Sequence, residues 1–306
     1  MARVSALGYI GWEVKDLAAW DDFLRTVYGL ELRADCPQNV RHYRLDERHH
    51  RLSLYPAKHD AVSFIGWEVR TPDELSELTD DLRKYGLSVK PGTQAQIKER
   101  GVMELICFDD PDGFRSEIYV TGITDGTPFK PSRGMAGFNT GELGLGHIVL
   151  FCKDKNVSLQ FYQEVLGFKL SDYIYWPDNQ GGTAEGTFLH CNARHHSLAL
   201  LNPCFGQSGG QLNHFMLEVK SLDDVGRAYD IALERGYPVQ RSIGRHTNDG
   251  MTSFYMHSPS GWLMEIGYGA KLVDDSFWET KMYNSTKLWG HTPISGPAPW
   301  PDIVKT

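Results

Sequence analysis

The chain has no pair of cysteines at C-x-x-C spacing and no run near the roughly 18 apolar residues that span a membrane. Its five cysteines (Cys36, Cys107, Cys152, Cys191, Cys204) form an odd, unpatterned set. Such a set points to reduced thiols in a cytoplasm, not to a disulfide framework. No cluster of Lys or Arg could track a phosphate backbone, and the net charge is −8, which argues against nucleic acid as a partner. The N-terminus, Met1-Ala2-Arg3-Val4, lacks the apolar core of a signal peptide and leads directly into a strand. What the chain has in quantity is glycine, 31 residues, as expected of many short strands joined by tight turns. Its 306 residues are 41% hydrophobic and 23% charged, enough for a core in each of two ordinary domains.

The chain also repeats itself. Leu7-Gly8-Tyr9-Ile10 opens one half and Leu145-Gly146-His147-Ile148 the other. Each leads to an amphipathic helix between an aspartate cap and a glycine, Asp16 to Gly29 and Asp154 to Gly167, 13 residues in both (29 − 16, 167 − 154). Trp20, Phe23, Leu24 and Val27 form the apolar face of the first helix, and Val157, Phe161, Tyr162 and Val165 that of the second. A second echo pairs Ser63–Val69 with Asn213–Val219, each followed by a helix, from Thr71 to Gly86 and from Ser221 to Gly236. Thr71 with Glu74 reads as a capping box. The turn Asp110-Pro111-Asp112-Gly113-Phe114 matches Ser258-Pro259-Ser260-Gly261-Trp262, and Arg48-His49-His50 matches Arg194-His195-His196. The pattern predicts an α+β fold of two tandem domains, each built of two βαβββ modules. The expected boundaries are 1–122 and 143–270, with a linker at 123–142 and a C-terminal tail at 271–306 that has no counterpart.

Duplication lets one half serve as the control for the other. At matched positions Tyr9 faces His147, Phe64 faces His214 and Glu117 faces Glu265. The first half cannot assemble a metal site from Tyr, Phe and Glu. The second offers two imidazoles and a carboxylate, the 2-His-1-carboxylate set that fills one face of an octahedron and suits Fe(II) or Mn(II). Strand alternation puts His147 on the face of Val149, pointing inward. Glu265, within Trp262-Leu263-Met264-Glu265-Ile266, would be costly to bury without a cation. Two polar clusters lie beside this set: Asn192 to Leu200, which holds His195 and His196, and Arg245 to Tyr255, which holds His246, Asn248 and Asp249. They offer acid/base groups and orienting partners.

With these segments together, the chain resembles the type I extradiol dioxygenases of the vicinal oxygen chelate superfamily, especially those acting on 2,3-dihydroxybiphenyl and related bicyclic catechols. The resemblance runs from about residue 5 to Leu288-Trp289-Gly290-His291. It implies a metal-free N-terminal domain and a metal held by His147, His214 and Glu265. It further implies acid/base roles for His196, His246 and Tyr255, supported by Asn248, Asp249 and the neighbouring His195. The choice of His196 over His195 rests on the resemblance alone. Fe(II), or Mn(II), is the implied cofactor, and a small aromatic diol and O₂ are the implied partners in aromatic catabolism. A homo-oligomer, an octamer in the family, is implied too. Two rivals share the fold: a metal-dependent glyoxalase-like isomerase or epimerase, and a metal-free binding module. The within-half His–His–Glu set argues against both.

The substrate expectation is a 3-substituted catechol with a second ring. Tyr9 to His50 spans 41 residues (50 − 9), whereas His147 to His196 spans 49 (196 − 147). The excess falls near Trp176-Pro177-Asp178-Asn179-Gln180-Gly181-Gly182, a loop placed to line the site. Phe188 and Leu200 are expected to enclose the second ring.

Overall fold

The computed structural model describes residues 3–294 apart from 38, 179 and 180. Four βαβββ modules follow one another along the chain. The first runs β1 (Ala6–Val14), α1 (Leu17–Phe23), β2 (Glu31–Leu32), β3 (Arg41–Arg44) and β4 (Leu52–Pro56). The second runs β5 (Ala61–Val69), α2 (Pro72–Lys84), β6 (Lys90–Pro91), β7 (Val102–Asp109) and β8 (Arg115–Gly122), with an added helix α3 (Gln94–Arg100) before β7. The third comprises β9 (His147–Phe151), α4 (Lys155–Gln160), β10 (Lys169–Pro177), β11 (Thr183–His190) and β12 (Leu198–Leu201). The fourth comprises β13 (Gln211–Glu218), α5 (Leu222–Glu234), β14 (Val239–His246), β15 (Thr252–His257) and β16 (Leu263–Tyr268). Two short strands follow, β17 (Lys281–Tyr283) and β18 (Lys287–Trp289).

The strand orders repeat as the modules do. One sheet reads β2-β3-β4-β1-β5-β8-β7-β6, the other β17-β10-β11-β12-β9-β13-β16-β15-β14-β18. Without its two outermost strands the second order is the first transposed. The tail thus supplies both edges of the larger sheet, β17 pairing with β10 and β18 with β14. Compact unit 1 comprises Met1–Gly134, Thr140–Leu145 and Asn156–Phe168, and unit 2 comprises Met135–Asn139, Gly146–Lys155 and Lys169–Thr306.

Local signals account for the helices. The Asp16 carboxylate accepts from the Ala19 amide at 2.9 Å and starts α1. The turn then widens into a π-helical stretch, Leu24–Tyr28, which ends at Gly29 with φ 78°. Thr71 and Glu74 close a reciprocal capping box on α2. One expected face is wrong. Val157 is 44% exposed, while Ser158, matched to the buried Trp20, is buried and donates to Asp112 at 2.6 Å. A π-helical stretch also follows α4, Phe161–Val165, and a regular 3.6-residue period carried back across it turns the wrong residue inward. All five cysteines are free thiols.

Candidate metal centre

Adjacent strands of unit 2 set the positions. In the ladder, His147 on β9 opposes Met216 on β13, and Met216 opposes Glu265 on β16. Residues directly across a ladder share a face, as do residues two apart on one strand, so His147, His214 and Glu265 emerge on the same side. Tyr255 on β15 opposes Glu265 and extends the row.

Their ligand atoms converge. The Nε2 atoms of His147 and His214 are 3.1 Å apart, and Glu265 Oε2 lies 3.4 Å from the first and 3.3 Å from the second. Adjacent donors around one ion with bonds of about 2.1 Å stand roughly 3.0 to 3.4 Å apart. The spacing therefore fits a single cation, and so does the chemistry. Burial lowers His147 to about 4, against the pull of Glu265, so its imidazole is neutral and its lone pair available. Burial alone would raise Glu265; contacts with His147, His214 and His246 instead hold it well below the usual carboxylate range. Asn213 Oδ1 lies 2.5 Å from His214 Nδ1, where it accepts the Nδ1 proton and leaves Nε2 as the donor atom. The Nδ1 of His147 has no such partner among the described residues.

The two polar clusters flank these three. The His196 ring packs on that of His147 with centroids 4.0 Å apart, and burial with its histidine neighbours holds it well below its ordinary value. His246 Nε2 is 2.9 Å from the Tyr255 hydroxyl and 3.2 Å from Glu265 Oε1. Burial would lower His246, but Glu265 and Asp249 push it up to about 9. Burial, reinforced by the Glu265 charge, holds the Tyr255 phenol well above its ordinary range. Asn248 and Asp249 are buried and line the same cavity, of about 130 Å³, a size that admits a benzene-like ring. His195 is buried behind His196.

The rest of the lining is largely apolar and includes Val149, Ile174, Trp176, Phe188, Leu201 and Phe205. Leu200 is not in that lining. On β12, Ala199 opposes Val149 and Leu201 opposes Phe151, so Leu200 faces the other side and Leu201 takes the expected place. Of the long loop, Trp176 reaches the cavity; Asn179 and Gln180 lie outside the described residues. The tail also contributes residues that the sequence reading passed over. The Thr286 carbonyl accepts from His246 Nδ1 at 2.7 Å, and the buried His291 ring lies 4.4 Å from that of His246. The motif Leu288-Trp289-Gly290-His291 was the available signal.

Unit 1 shows what becomes of the same positions without imidazoles. Tyr9 donates to Glu117 at 2.8 Å, and Phe64 meets Tyr9 edge to face at 5.7 Å. The guanidinium of Arg100, from the end of α3, lies among them. It donates to both Glu117 oxygens at 3.0 and 3.2 Å and stands 3.7 Å above the Phe64 ring. A side chain thus provides the positive charge there, which explains why a glutamate persists in a half with no histidine at the other two positions.

Residues 144–266 match the Glyoxalase/Bleomycin resistance protein/Dioxygenase superfamily, and residues 7–56 match the first domain of dihydroxybiphenyl dioxygenase. The chain is 40% identical to the biphenyl-2,3-diol 1,2-dioxygenase of Paraburkholderia xenovorans, covering 95% of this chain and 96% of that one. It is equally 40% identical to the 3-methylcatechol 2,3-dioxygenase of Pseudomonas putida, over 94% and 97%. The crystal structure of a catechol 2,3-dioxygenase superposes with a TM-score of 0.91 at 34% identity, covering 98% of both chains. The chain therefore belongs to the extradiol ring-cleavage dioxygenases of the vicinal oxygen chelate superfamily.

Proposed function

We propose that this dioxygenase uses Fe(II) and O₂ to open a 3-substituted catechol with a second ring, such as 2,3-dihydroxybiphenyl, in aromatic catabolism. The observation that carries the reading is the convergence of His147, His214 and Glu265 in a cavity lined by both polar and apolar side chains. The two imidazole nitrogens and the carboxylate are the metal ligands, and the donor set favours Fe(II), with Mn(II) as the alternative ion. When bound, the iron supplies a template and electron path between a chelated diol and O₂. His246 and Tyr255, 2.9 Å apart, hydrogen-bond a substrate oxygen and stabilise its charge. His196 handles a proton on the oxygen side of the site. Asn248 and Asp249 hold the polar rim. The apolar lining takes the second ring, at roughly 25 cal/mol per Å² of area withdrawn from water.

Anaerobic iron loading followed by 2,3-dihydroxybiphenyl and air tests the reaction. A yellow ring-opened product with matching O₂ uptake is expected; no uptake with any catechol overturns the reading. His147→Ala and His214→Ala remove bound metal and turnover together, while Tyr9→Ala and Phe64→Ala leave one ion per chain. Two ions per loaded chain would contradict the ligand assignment. Specificity constants fall from 2,3-dihydroxybiphenyl to 3-methylcatechol and again to catechol. Comparable values for the first and last rule out the bicyclic substrate and leave the ring cleavage standing.

A further inference from the structure

Behind His196 a hydrogen-bonded line leads away from the cavity into the sheet. His196 Nδ1 and His195 Nδ1 are 3.0 Å apart, and His195 Nε2 is 2.8 Å from Asp172 Oδ2. His195 and Asp172 are both fully buried. The other carboxylate oxygen, Oδ1, accepts the backbone N–H of Lys281 at 2.8 Å, and Trp278 packs edge to face on the His195 ring at 5.2 Å. Thus β10 and the tail together hold the far end of the line.

The duplicated half shows which member is new. His49 and His50 face each other in the same way, Nδ1 to Nδ1 at 2.8 Å, in a unit with no histidine at the matched ligand positions. The histidine pair by itself is therefore part of the fold. At the spacing that relates Tyr9 to His147, 138 residues (147 − 9), Asp172 corresponds to Ala34 (172 − 138). The carboxylate behind the pair belongs to the second half.

We propose that Asp172, acting through His195, is a positioning residue that fixes which nitrogen of His196 carries the proton. A carboxylate can only accept, so His195 presents Nε2–H to Asp172, and in the neutral imidazole its Nδ1 is then the acceptor. His196 must then donate its Nδ1–H to His195, and its Nε2 meets the cavity with a free lone pair. In the catalytic reading above, on which this consequence rests, His196 enters the cycle as a proton acceptor. The proton it later gives to oxygen is one taken from a substrate hydroxyl. Asp172 plays for this pair the part that a buried aspartate plays behind a catalytic histidine in a hydrolase triad.

The Lys281 amide makes the test sharp. In Asp172→Asn it keeps the amide oxygen on the Lys281 side, so the side-chain NH₂ faces His195. Each hydrogen bond along the line then reverses, and His196 is left with Nε2–H. Long-range ¹H–¹⁵N spectra of the full chain labelled in histidine, without metal, read the tautomers directly, with His196→Phe giving the assignment. The expected result is Nδ1–H at His196 in the wild type and Nε2–H in Asp172→Asn. Nε2–H in the wild type, or an unchanged tautomer in a folded Asp172→Asn, overturns the proposal. In the iron-loaded enzyme kcat of Asp172→Asn falls about 100-fold or more, with KM changed less than about threefold. A variant as fast as wild type also overturns it. Wild-type protein that cleaves no catechol defeats the catalytic reading instead, and the wild-type spectrum still decides the tautomer.

Discussion

Asp110 lies in the turn before β8, 4% exposed, where it accepts from the Phe114 amide at 2.8 Å and the Tyr162 hydroxyl at 2.7 Å. Burial outweighs these bonds and raises its carboxyl from 3.8 to about 6. A carboxyl whose folded value is raised contributes stability that is complete below its unfolded value and disappears as pH rises through the folded one. From well below pH 3.8 to well above pH 6 this group alone therefore withdraws about 3 kcal/mol. Urea unfolding across that interval should show the loss in the wild type and a flatter profile in Asp110→Asn. Ser258, the matched residue in the second half, has no charge to titrate. Arg100 gives the opposite case: Arg100→Met leaves the Glu117 carboxylate buried without its guanidinium and should cost about 3 to 5 kcal/mol. Adding Glu117→Gln should recover part of that loss in the same unfolding measurement.

The tail strands fix residues of the cavity that the four modules lack. β18 pairs with β14 and leads to Gly290, with φ 67°, where a side-chain Cβ would come within 2.3 Å of the Ile243 carbonyl. Gly290→Ala should therefore push His291 and Thr286 away from His246. Turnover should drop while metal content stays at one per chain, as activity and metal analysis on the same sample will show. This edge was the least legible part of the sequence, because it has no copy elsewhere in the chain to be compared with. Where elements recur, the reading holds: Asp16 caps α1, Thr71 boxes α2, and the matched strands place Tyr9 and His147 opposite Gly66 and Met216. Periodicity fails where a local irregularity intervenes. A π-helical stretch turned Val157 outward. Leu200 is a different miss, because the regular alternation of β12 itself gives the cavity Leu201. Hydrogen bonds between residues far apart in sequence, such as Asp172 to the Lys281 amide, leave no mark in a linear pattern.

At the scale of the whole molecule, the protein carries two copies of one architecture with different demands on their surroundings. A ligand that binds only the folded form stabilises by mass action, about 4 kcal/mol at a thousand times its dissociation constant. The iron proposed for unit 2 should therefore slow amide exchange in β9, β13 and β16, and a chelator should restore it. β1, β5 and β8 should exchange at one rate in both conditions. A chelator effect on those strands as large as on β9 would mean that unit 1 also depends on a bound ion.

The guanidinium of Arg100 gives that contrast a meaning for how the protein is made. The cation of the first half is written into the gene and arrives with the polypeptide, one for every copy synthesised. The cation proposed for the second half would have to be collected, so its occupancy would follow the supply of metal in the cell. In iron-starved cells every chain would thus have one electrostatically complete half, while the share of active chains tracked the iron available. Abundance of the protein and capacity to cleave catechols would then vary independently.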